Sequence, residues 1–384
     1  MKEYQPGLEG VVATRSAISQ IDGEKGVLAY CGYHIEELAK HSTFEETALL
    51  LLDRRLPTQG ELDHFDTQLK KSRRVKYNIR EMMKSLPATG HPMEMLQTGV
   101  ASLGMFYPGN ECLTNPEKCD IDYVHDMSVK IISRMPVMVS MWEHIRRGYD
   151  PVEPRSDLSY AENFLYMLTG DEPDEDLARI LDICLVLHAE HTINASTFAA
   201  LVSGSTLATP YSVISAAVGA LSGPLHGGAN ERVIEMLEEI GSVQNVKPWL
   251  DKQFKAKAKI WGMGHREYKV KDPRATILQA LTADLVSKRG DIGPLFEIAL
   301  ALEEAASERL AEKGVYPNVD FYSGLLYREM GFAPDQFTSI FAVARSAGWL
   351  AHWREQLANN RIFRPTQIYT GETRRSYVAV SERG

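Results

Sequence analysis

The sequence predicts a mostly α-helical protein with a small β element near its N-terminus. Short β-rich runs at 11–21 and 26–30 flank the residues DGEK, which are typical of a hairpin turn. Beyond about residue 40, aliphatic side chains recur at helical spacing, and capping residues, prolines and glycines separate the segments. The chain has no repeat of fixed period and no composition break of the kind that marks a linker. We therefore expect helices packed on helices, with one short hairpin.

The first helices are marked by their ends. Capping boxes beginning at Ser42 and Thr58, each with a glutamate three residues later, predict two helix starts. Pro57 separates these two helices. Residues 93–106 form the next predicted helix, with Met93, Leu96, Val100 and Leu103 on one buried face.

Loops and helices then alternate along the chain. Residues 107–122 and 149–157, rich in proline, glycine or charge, are predicted loops. Further helices are predicted at 123–147, with an expected kink at Pro136, and at 158–168, 174–191, 213–221 and 232–240.

Composition limits the class of function. The 384 residues carry a net charge of −9, which argues against a general nucleic-acid binder. No apolar run approaches the ~18–20 residues of a membrane span, and the N-terminus lacks the apolar segment of a secretory signal. Four cysteines, Cys31, Cys112, Cys119 and Cys184, are too few for a disulfide scaffold. We expect a cytoplasmic protein.

Three motifs in the C-terminal half place polar groups in turns. Residues 223–230 read GPLHGGAN, so His226 lies between two predicted helices among residues that stop a helix and allow close backbone approach. Residues 262–269 read GMGHREYK and hold His265 in a similar setting. In PNVDFYSG, Asp320 stands between a proline and an aromatic pair, where partial burial would raise its pKa toward that of a useful base.

Arginines accompany these groups. Arg274, Arg345 and Arg364 could each bind a carboxylate through two hydrogen bonds. Histidines can donate to a carbonyl oxygen on which negative charge develops, and a carboxylate can take a proton from the neighbouring carbon. The set therefore predicts a site for a polyanionic small molecule and carbon–carbon bond formation through an enol, with no metal required.

A zinc site is the alternative for one pair of histidines. His188 and His191 would share one face of the predicted helix at 174–191. No HExxH spacing and no cysteine pair accompanies them. We interpret them as a buried pair at a helix end.

These motifs, in their order and mutual spacing, resemble the citrate synthase family over nearly the whole chain. The matching segments are 7–12, 32–38, 91–93, 223–230, 262–274, 318–324 and 361–371. The resemblance implies an enzyme that condenses acetyl-CoA with oxaloacetate to citrate and CoA, the entry step of the tricarboxylic acid cycle. It also implies acetyl-CoA as a co-substrate and no permanently bound cofactor.

The resemblance assigns catalytic roles to three residues. Asp320 would remove a methyl proton from acetyl-CoA, and His226 would donate a hydrogen bond to the thioester carbonyl and so stabilise the enol. His265 would donate to the oxaloacetate carbonyl as it is attacked.

It assigns binding roles to six others. His191, with Asn194 nearby, would bind oxaloacetate. The carboxylates of oxaloacetate would be held by three arginines, Arg274, Arg345 and Arg364. Lys269 would lie near the phosphates of coenzyme A.

The family architecture predicts a hinge between two helical domains. The large domain would comprise 1–221 and 321–384, and the small domain 222–320 would close over the substrates. The chain would form a homodimer or a larger assembly of dimers, with Arg364 contributed across the interface. Cys31 stands where the family commonly has an arginine, so any ion pair made there is missing.

Two other functions are also compatible with the sequence. A 2-methylcitrate synthase would use propionyl-CoA on the same scaffold, and one methylene in an acyl pocket changes selectivity by only ~1–3 kcal/mol. A non-catalytic helical scaffold would have kept the fold without the chemistry. The presence of both Asp320 and His226 argues against it.

Overall fold

A computed structural model describes residues 4–107, 121–289 and 292–383. Within these ranges the chain is mostly helical, with one small sheet, which confirms the predicted fold class. The first eight helices are α1 (Ile35–His41), α2 (Phe44–Asp53), α3 (Gln59–Ser72), α4 (Tyr77–Lys84), α5 (Pro92–Phe106), α6 (Ile121–Arg146), α7 (Tyr160–Thr169) and α8 (Glu175–His188). The remaining ones are α9 (Ala195–Gly204), α10 (Pro210–Leu221), α11 (Ala229–Ile240), α12 (Val246–Ala256), α13 (Pro273–Arg289), α14 (Gly293–Leu310), α15 (Asp320–Glu329) and α16 (Phe337–Leu357).

The sheet contains the predicted hairpin and one further strand. Strand β1 (Ser19–Asp22) pairs antiparallel with β2 (Val27–Tyr30), so the turn lies where the sequence predicted it. The prediction that β1 begins at residue 11 was wrong, because the pairing with β2 begins at Ser19 opposite Tyr30, and the chain leaves the extended conformation at Cys31, whose φ is +49°. A two-residue strand, β3 (Tyr33–His34), pairs with the other edge of β2 and was not predicted.

Helix α16 runs through the centre of the core. Every residue from Phe337 to Trp353 is buried, including Trp349 and Trp353, and the helix packs against α2, α6, α8, α9 and α10. A helix that is buried on every side, with its few polar side chains paired, is typical of such a central position. The end of α16 leads into residues 358–383, which form no α-helix or strand and are mostly exposed.

Several predicted helix boundaries are confirmed and one cap was wrong. Helix α3 has the predicted capping box at Thr58, and the four apolar residues chosen for α5 are all buried. Helix α2, however, is capped by Thr43, whose side chain accepts the Glu46 N–H, and not by Ser42. A contact distant in sequence accompanies this shift, since the Asp182 carboxylate accepts the Phe44 N–H at 2.8 Å.

The predicted loop at 107–122 lies mostly outside the described residues, as do Cys112 and Cys119. Its last two positions were wrong, because α6 already begins at Ile121. Pro136 lies inside α6, and a kink there stays a prediction. None of the described helices combines the length and the apolar character that crossing a membrane requires.

The helix predicted at 174–191 ends three residues early, at His188. Beyond this point the Glu190 N–H donates to the Tyr30 hydroxyl of the hairpin at 3.2 Å instead of continuing the helix. His191 therefore lies in the turn that follows, and the prediction that His188 and His191 share a helix face was wrong.

Candidate active site

A cavity of about 1300 Å³ opens between the turn after α8, the loops before α11 and α13, and the start of α15. Its lining contains most of the predicted site residues: His191, Asn194, His226, His265, Arg274, Asp320 and Arg345. Residues 7–14 and the aromatic ring of Phe341 complete the wall. The predicted site residues in this lining are up to 154 positions apart in sequence, from His191 to Arg345, and face one space.

His226 is held through one ring nitrogen. The Ser196 N–H donates to its Nε2 at 3.3 Å, and the Ser196 hydroxyl and Asn194 Oδ1 lie 2.9 and 3.2 Å from the same atom. The Ser196 N–H can only donate, whereas Asn194 Oδ1 can only accept and the Ser196 hydroxyl gives its proton to Asn194 Oδ1, so Nε2 faces one donor and two acceptors. Burial, aided by the Arg345 charge, lowers the pKa of His226 to about 4. The ring is neutral at pH 7 and offers a single N–H donor.

His265 is held through its other ring nitrogen, Nδ1. Its Nδ1 accepts from the backbone N–H of Glu267 at 3.0 Å and that of Tyr268 at 3.4 Å. The proton of the neutral ring therefore lies on Nε2. Burial, with the Arg274 charge second, lowers the pKa of His265 to about 4 as well. Gly264, at φ +88°, precedes it, a backbone conformation that glycine adopts without strain.

His191 lies beside His265, with ring centroids 5.0 Å apart, and its Nε2 is 3.1 Å from the Tyr268 hydroxyl. Burial and the Arg274 charge hold its pKa well below the usual value. Asn194 follows on the same turn and caps α9, its Oδ1 accepting the Thr197 N–H at 3.1 Å. The turn thereby holds His191 in the cavity and places Asn194 next to His226.

Asp320 is the first residue of α15, and its backbone N–H donates to Asn318 Oδ1 at 3.0 Å. Its Oδ1 is buried and has no hydrogen-bond partner among the described residues. Burial raises the pKa of this carboxyl to about 7, although the Arg274 charge opposes the rise. A carboxylate that is short of hydrogen-bond donors, in a cavity with neutral histidines, is a suitable general base.

Arg274 is fixed before any ligand arrives. Its Nε and Nη2 donate to the two oxygens of Asp272 at 3.0 and 2.7 Å, and both side chains are buried. Burial disfavours the charge of Arg274, but the Asp272 carboxylate outweighs this and keeps the pKa of the guanidinium above its usual value. The bidentate pair leaves one terminal nitrogen of the fork to face a ligand.

Arg345 comes from the centre of α16 and is buried over the ring of Phe341. Its Nε donates to the His188 carbonyl at 2.7 Å. Burial lowers the pKa of Arg345 to about 10 against the opposing charge of Glu190. Glu190 is itself fully buried, with Oε1 2.9 Å from His352 Nε2.

Two predicted residues lie outside the cavity lining. Arg364 lies in the exposed segment after α16, where its Nη1 donates to the Pro365 carbonyl at 3.0 Å. Lys269 is exposed and its Nζ lies 3.4 Å from the Arg266 carbonyl.

Several lining residues were not predicted from the sequence. Lys259 and Arg266 are exposed cations at the cavity, and Ser196 contacts His226. Arg266 adjoins His265, and this neighbourhood was the available signal. Phe341 gave none, because an aromatic residue inside a buried helix has the same pattern as any core residue.

His188 and Cys31 have structural surroundings. His188 is buried against Phe341, and its Nδ1 lies 2.7 Å from the Cys184 carbonyl. Within the described ranges, no group of three or more histidine, cysteine or acidic side chains could hold a metal ion. Cys31, where an arginine was expected, is half-buried with its Sγ 3.5 Å from the Ile18 carbonyl.

Comparison with known proteins gives one family. The family model described as citrate synthase, C-terminal domain, matches residues 7–366. The citrate synthase of Acidithiobacillus ferridurans is 60% identical over 382 residues, which are 99% of this chain and 98% of that protein. The citrate synthase of Synechocystis sp. is 53% identical over 380 residues, 99% of this chain and 94% of that protein.

Solved structures agree with the sequence relatives. The citrate synthase of Pyrobaculum aerophilum superposes with a TM-score of 0.93 at 42% identity, covering 98% of this chain and 95% of that one. The Thermoplasma acidophilum enzyme, solved as a ternary complex with carboxymethyl coenzyme A and oxaloacetate, gives 0.94 at 33% identity over 100% of both chains. Since both the sequence match and the fold extend over nearly its whole length, the chain belongs to the citrate synthase family.

Proposed function

We propose that the chain condenses acetyl-CoA with oxaloacetate to give citrate and CoA, the reaction for which its relatives are named. The observation that carries the proposal is the combination of groups in the cavity. A carboxyl with a pKa of about 7, Asp320, shares the space with two histidines, His226 and His265, that burial keeps neutral. Two buried arginines supply the positive charge that a dicarboxylate needs.

The first step is proton transfer from carbon. Asp320 takes a proton from the methyl group of acetyl-CoA, and the electrons of the C–H bond move toward the thioester oxygen. The N–H of the neutral His226 ring donates a hydrogen bond to that oxygen and stabilises the enol. A neutral imidazole suits this role, because its weak acidity is close to that of the enol.

The second step forms the carbon–carbon bond. The enol carbon attacks the carbonyl carbon of oxaloacetate, and the Nε2–H of His265 donates to the oxygen on which charge develops. We assign His191, Asn194, Arg274 and Arg345 to oxaloacetate binding. Arg274 and Arg345 are both buried, so that their charges act in a region of low dielectric constant.

The last step releases the products. Water attacks the thioester carbonyl of citryl-CoA, the C–S bond breaks, and the sulfur leaves as the thiol of CoA. The sum is acetyl-CoA, oxaloacetate and water converted to citrate, CoA and one proton. Acetyl-CoA is a co-substrate, and the proton transfers call for no permanently bound cofactor.

We assign residues 222–320 to a small domain that closes on the rest. The three proposed catalytic residues, His226, His265 and Asp320, all come from this range, whereas His191 and Arg345 come from outside it. Closure would bring the two sets together after oxaloacetate binds and exclude water from the thioester. We also assign the coenzyme A phosphates to a basic rim.

The rim consists of Lys269 with Arg266 and Lys259. All three are exposed near the cavity, and Lys259 and Arg266 belong to its lining.

The two cysteines that the structure describes as free thiols, Cys31 and Cys184, suit a reducing compartment, and we propose the cytoplasm.

We further propose a homodimer in which Arg364 enters the partner's cavity. Arg364 does not belong to the lining of the cavity in its own chain. The segment around it exposes apolar side chains such as Ile362, Ile368 and Tyr369. Such a segment is typical of one that packs on another copy.

The reaction is tested by measuring thiol release from acetyl-CoA and from propionyl-CoA, each with and without oxaloacetate. We expect release that depends on oxaloacetate, with the higher kcat/KM for acetyl-CoA. A clear preference for propionyl-CoA would overturn the choice of acyl donor. No release from either substrate would overturn the proposed function.

The shared site is tested by mixing two inactive variants, Asp320→Asn and Arg364→Ala. In a mixed dimer, one of the two cavities has an intact Asp320 and an intact Arg364 from its partner. Random exchange should restore about a quarter of the wild-type activity. Mixed dimers that have exchanged subunits and remain inactive would contradict the sharing of Arg364.

A further inference from the structure

The hairpin of β1 and β2 contacts two separate loops of the cavity, one at each of its ends. Its base contacts the turn that carries His191, and its tip contacts the loop that carries His265. These two histidines are 74 positions apart in sequence, yet their rings lie 5.0 Å from each other.

At the base, two hydroxyl groups of the hairpin hold the turn at His191. The Tyr30 hydroxyl donates to the Glu190 carbonyl at 2.8 Å and accepts the Glu190 N–H at 3.2 Å. The Ser19 hydroxyl donates to Glu190 Oε1 at 2.9 Å and accepts the Thr192 N–H at 3.2 Å. The residues on both sides of His191 are therefore bonded to the hairpin.

At the tip of the hairpin, the contacts with the loop that carries His265 are between backbone atoms. The Lys269 N–H donates to the Gly23 carbonyl at 3.0 Å. A Cβ atom on Gly23 would lie 2.0 Å from the Glu267 carbonyl oxygen, so the contact leaves no room for a side chain. That oxygen belongs to the same peptide group as the Tyr268 N–H, which donates to His265 Nδ1 at 3.4 Å. The tip thus touches the peptide group that orients His265.

The turn contains two local bonds, since Asp22 binds both the backbone N–H of Lys25 at 3.1 Å and its Nζ at 3.0 Å. Gly23 does not have a positive φ angle, so alanine could adopt its backbone conformation. A side chain at position 23 is therefore excluded by the close contact with the Glu267 carbonyl oxygen and not by the backbone conformation.

We propose that the hairpin is the element that sets the position of His265 relative to His191, with Gly23 as a positioning residue for oxaloacetate binding. This inference rests on the proposed function. None of the hairpin residues 19–30 belongs to the cavity lining, so the hairpin would act only through the loops that it contacts.

Gly23→Ala tests the inference. The Glu267 peptide would have to withdraw from 2.0 Å to an ordinary contact of 3.4 Å or more, and His265 would move with it. A misplacement of about 1 Å can cost up to about 100-fold in rate, so we expect kcat/KM for oxaloacetate to fall about 10- to 100-fold. The KM for acetyl-CoA at saturating oxaloacetate should stay within about twofold of the wild type.

Gly60→Ala is the matched control. Gly60 lies in α3, also lacks a positive φ angle, and has no atom within 4 Å of the place where a Cβ would stand. This variant should keep the wild-type kcat/KM for both substrates. A second readout is the rise in the thermal midpoint that oxaloacetate alone produces, which should shrink in Gly23→Ala and persist in the control.

Ser19→Ala provides a second variant at the other end of the hairpin. It removes the hydroxyl that binds Glu190 and Thr192 and introduces no clash, so it carries the test if Gly23→Ala does not fold. We expect kcat/KM for oxaloacetate to fall about threefold or more.

The outcomes separate the two proposals. If the wild type shows no thiol release that depends on oxaloacetate, the proposed function fails. If the wild type is active and folded Gly23→Ala matches Gly60→Ala in kcat/KM for oxaloacetate, the inference about the hairpin fails alone. Where only Ser19→Ala folds, wild-type kinetics in that variant overturn it in the same way.

Discussion

Replacing Asp320 by asparagine should lower turnover by orders of magnitude and, above neutral pH, stabilise the fold. The change removes the proposed base while keeping its shape, so kcat should fall by about 10²- to 10⁴-fold. Burial raises the pKa of Asp320 from 3.8 to about 7. Since each pKa unit corresponds to about 1.4 kcal/mol, keeping this carboxyl charged in the folded state costs at most about 4 kcal/mol.

The sign of the pH dependence follows from this pKa. The folded chain keeps the proton on Asp320 to a higher pH than the unfolded chain does. Its contribution to stability is therefore complete below pH 3.8 and is lost as the pH rises through about 7. Asparagine has no charge to bury, so the gain of the variant over the wild type should grow from pH 4 to about 2–4 kcal/mol at pH 8.

The assay is thermal or urea unfolding of both proteins at about pH 5 and pH 8, at one fixed protomer concentration. Asp272→Asn is the matched control, because that carboxylate is buried and both its oxygens bind Arg274. Leaving the arginine poorly paired should cost about 3–5 kcal/mol. A loss of stability in Asp320→Asn at pH 8, or a gain that does not depend on pH, would refute the reasoning.

Two further predictions concern pH and the buried ion pair. The kcat/KM for acetyl-CoA should rise as Asp320 loses its proton near pH 7, without a second titration from His226 or His265, whose pKa values are about 4. A second limb between pH 5 and 6.5 in the pH–rate profile would contradict those low values. Glu190→Gln should lower the free energy of unfolding by about 3–5 kcal/mol, because it leaves His352 buried without its charged partner. Urea unfolding should show part of that loss restored when His352→Gln is added, and purely additive losses would contradict a coupled pair.

Local signals in the sequence predicted much of the fold. The hairpin turn, the Thr58 capping box and the buried face of α5 each depend on residues within a few positions of one another. The boundaries that were wrong depend on distant partners. Asp182 accepts the Phe44 N–H, so that α2 begins one residue later than predicted, and Tyr30 binds Glu190, where α8 has already ended.

The candidate site shows the same division. Glycine-flanked histidines and a sheltered aspartate are visible in the sequence, and the structure brings His226, His265 and Asp320 to one cavity. The sequence could not show that Phe341 lines that cavity, since this depends on how α16 packs. Nor does the fold of one chain bring Arg364 to its own cavity, because the segment after α16 remains exposed.

The histidine held by backbone N–H groups has a consequence for how this active site can vary. The groups that choose the tautomer of His265 belong to the main chain, and the shorter of the two bonds comes from Glu267, where almost any amino acid supplies it. Position 267 could therefore drift among relatives, or be changed in a library, without any trace of its role in the chemistry. Proline is the exception, since it alone lacks the N–H group, and a proline at 267 would remove the shorter of the two bonds that keep the proton of His265 off Nδ1.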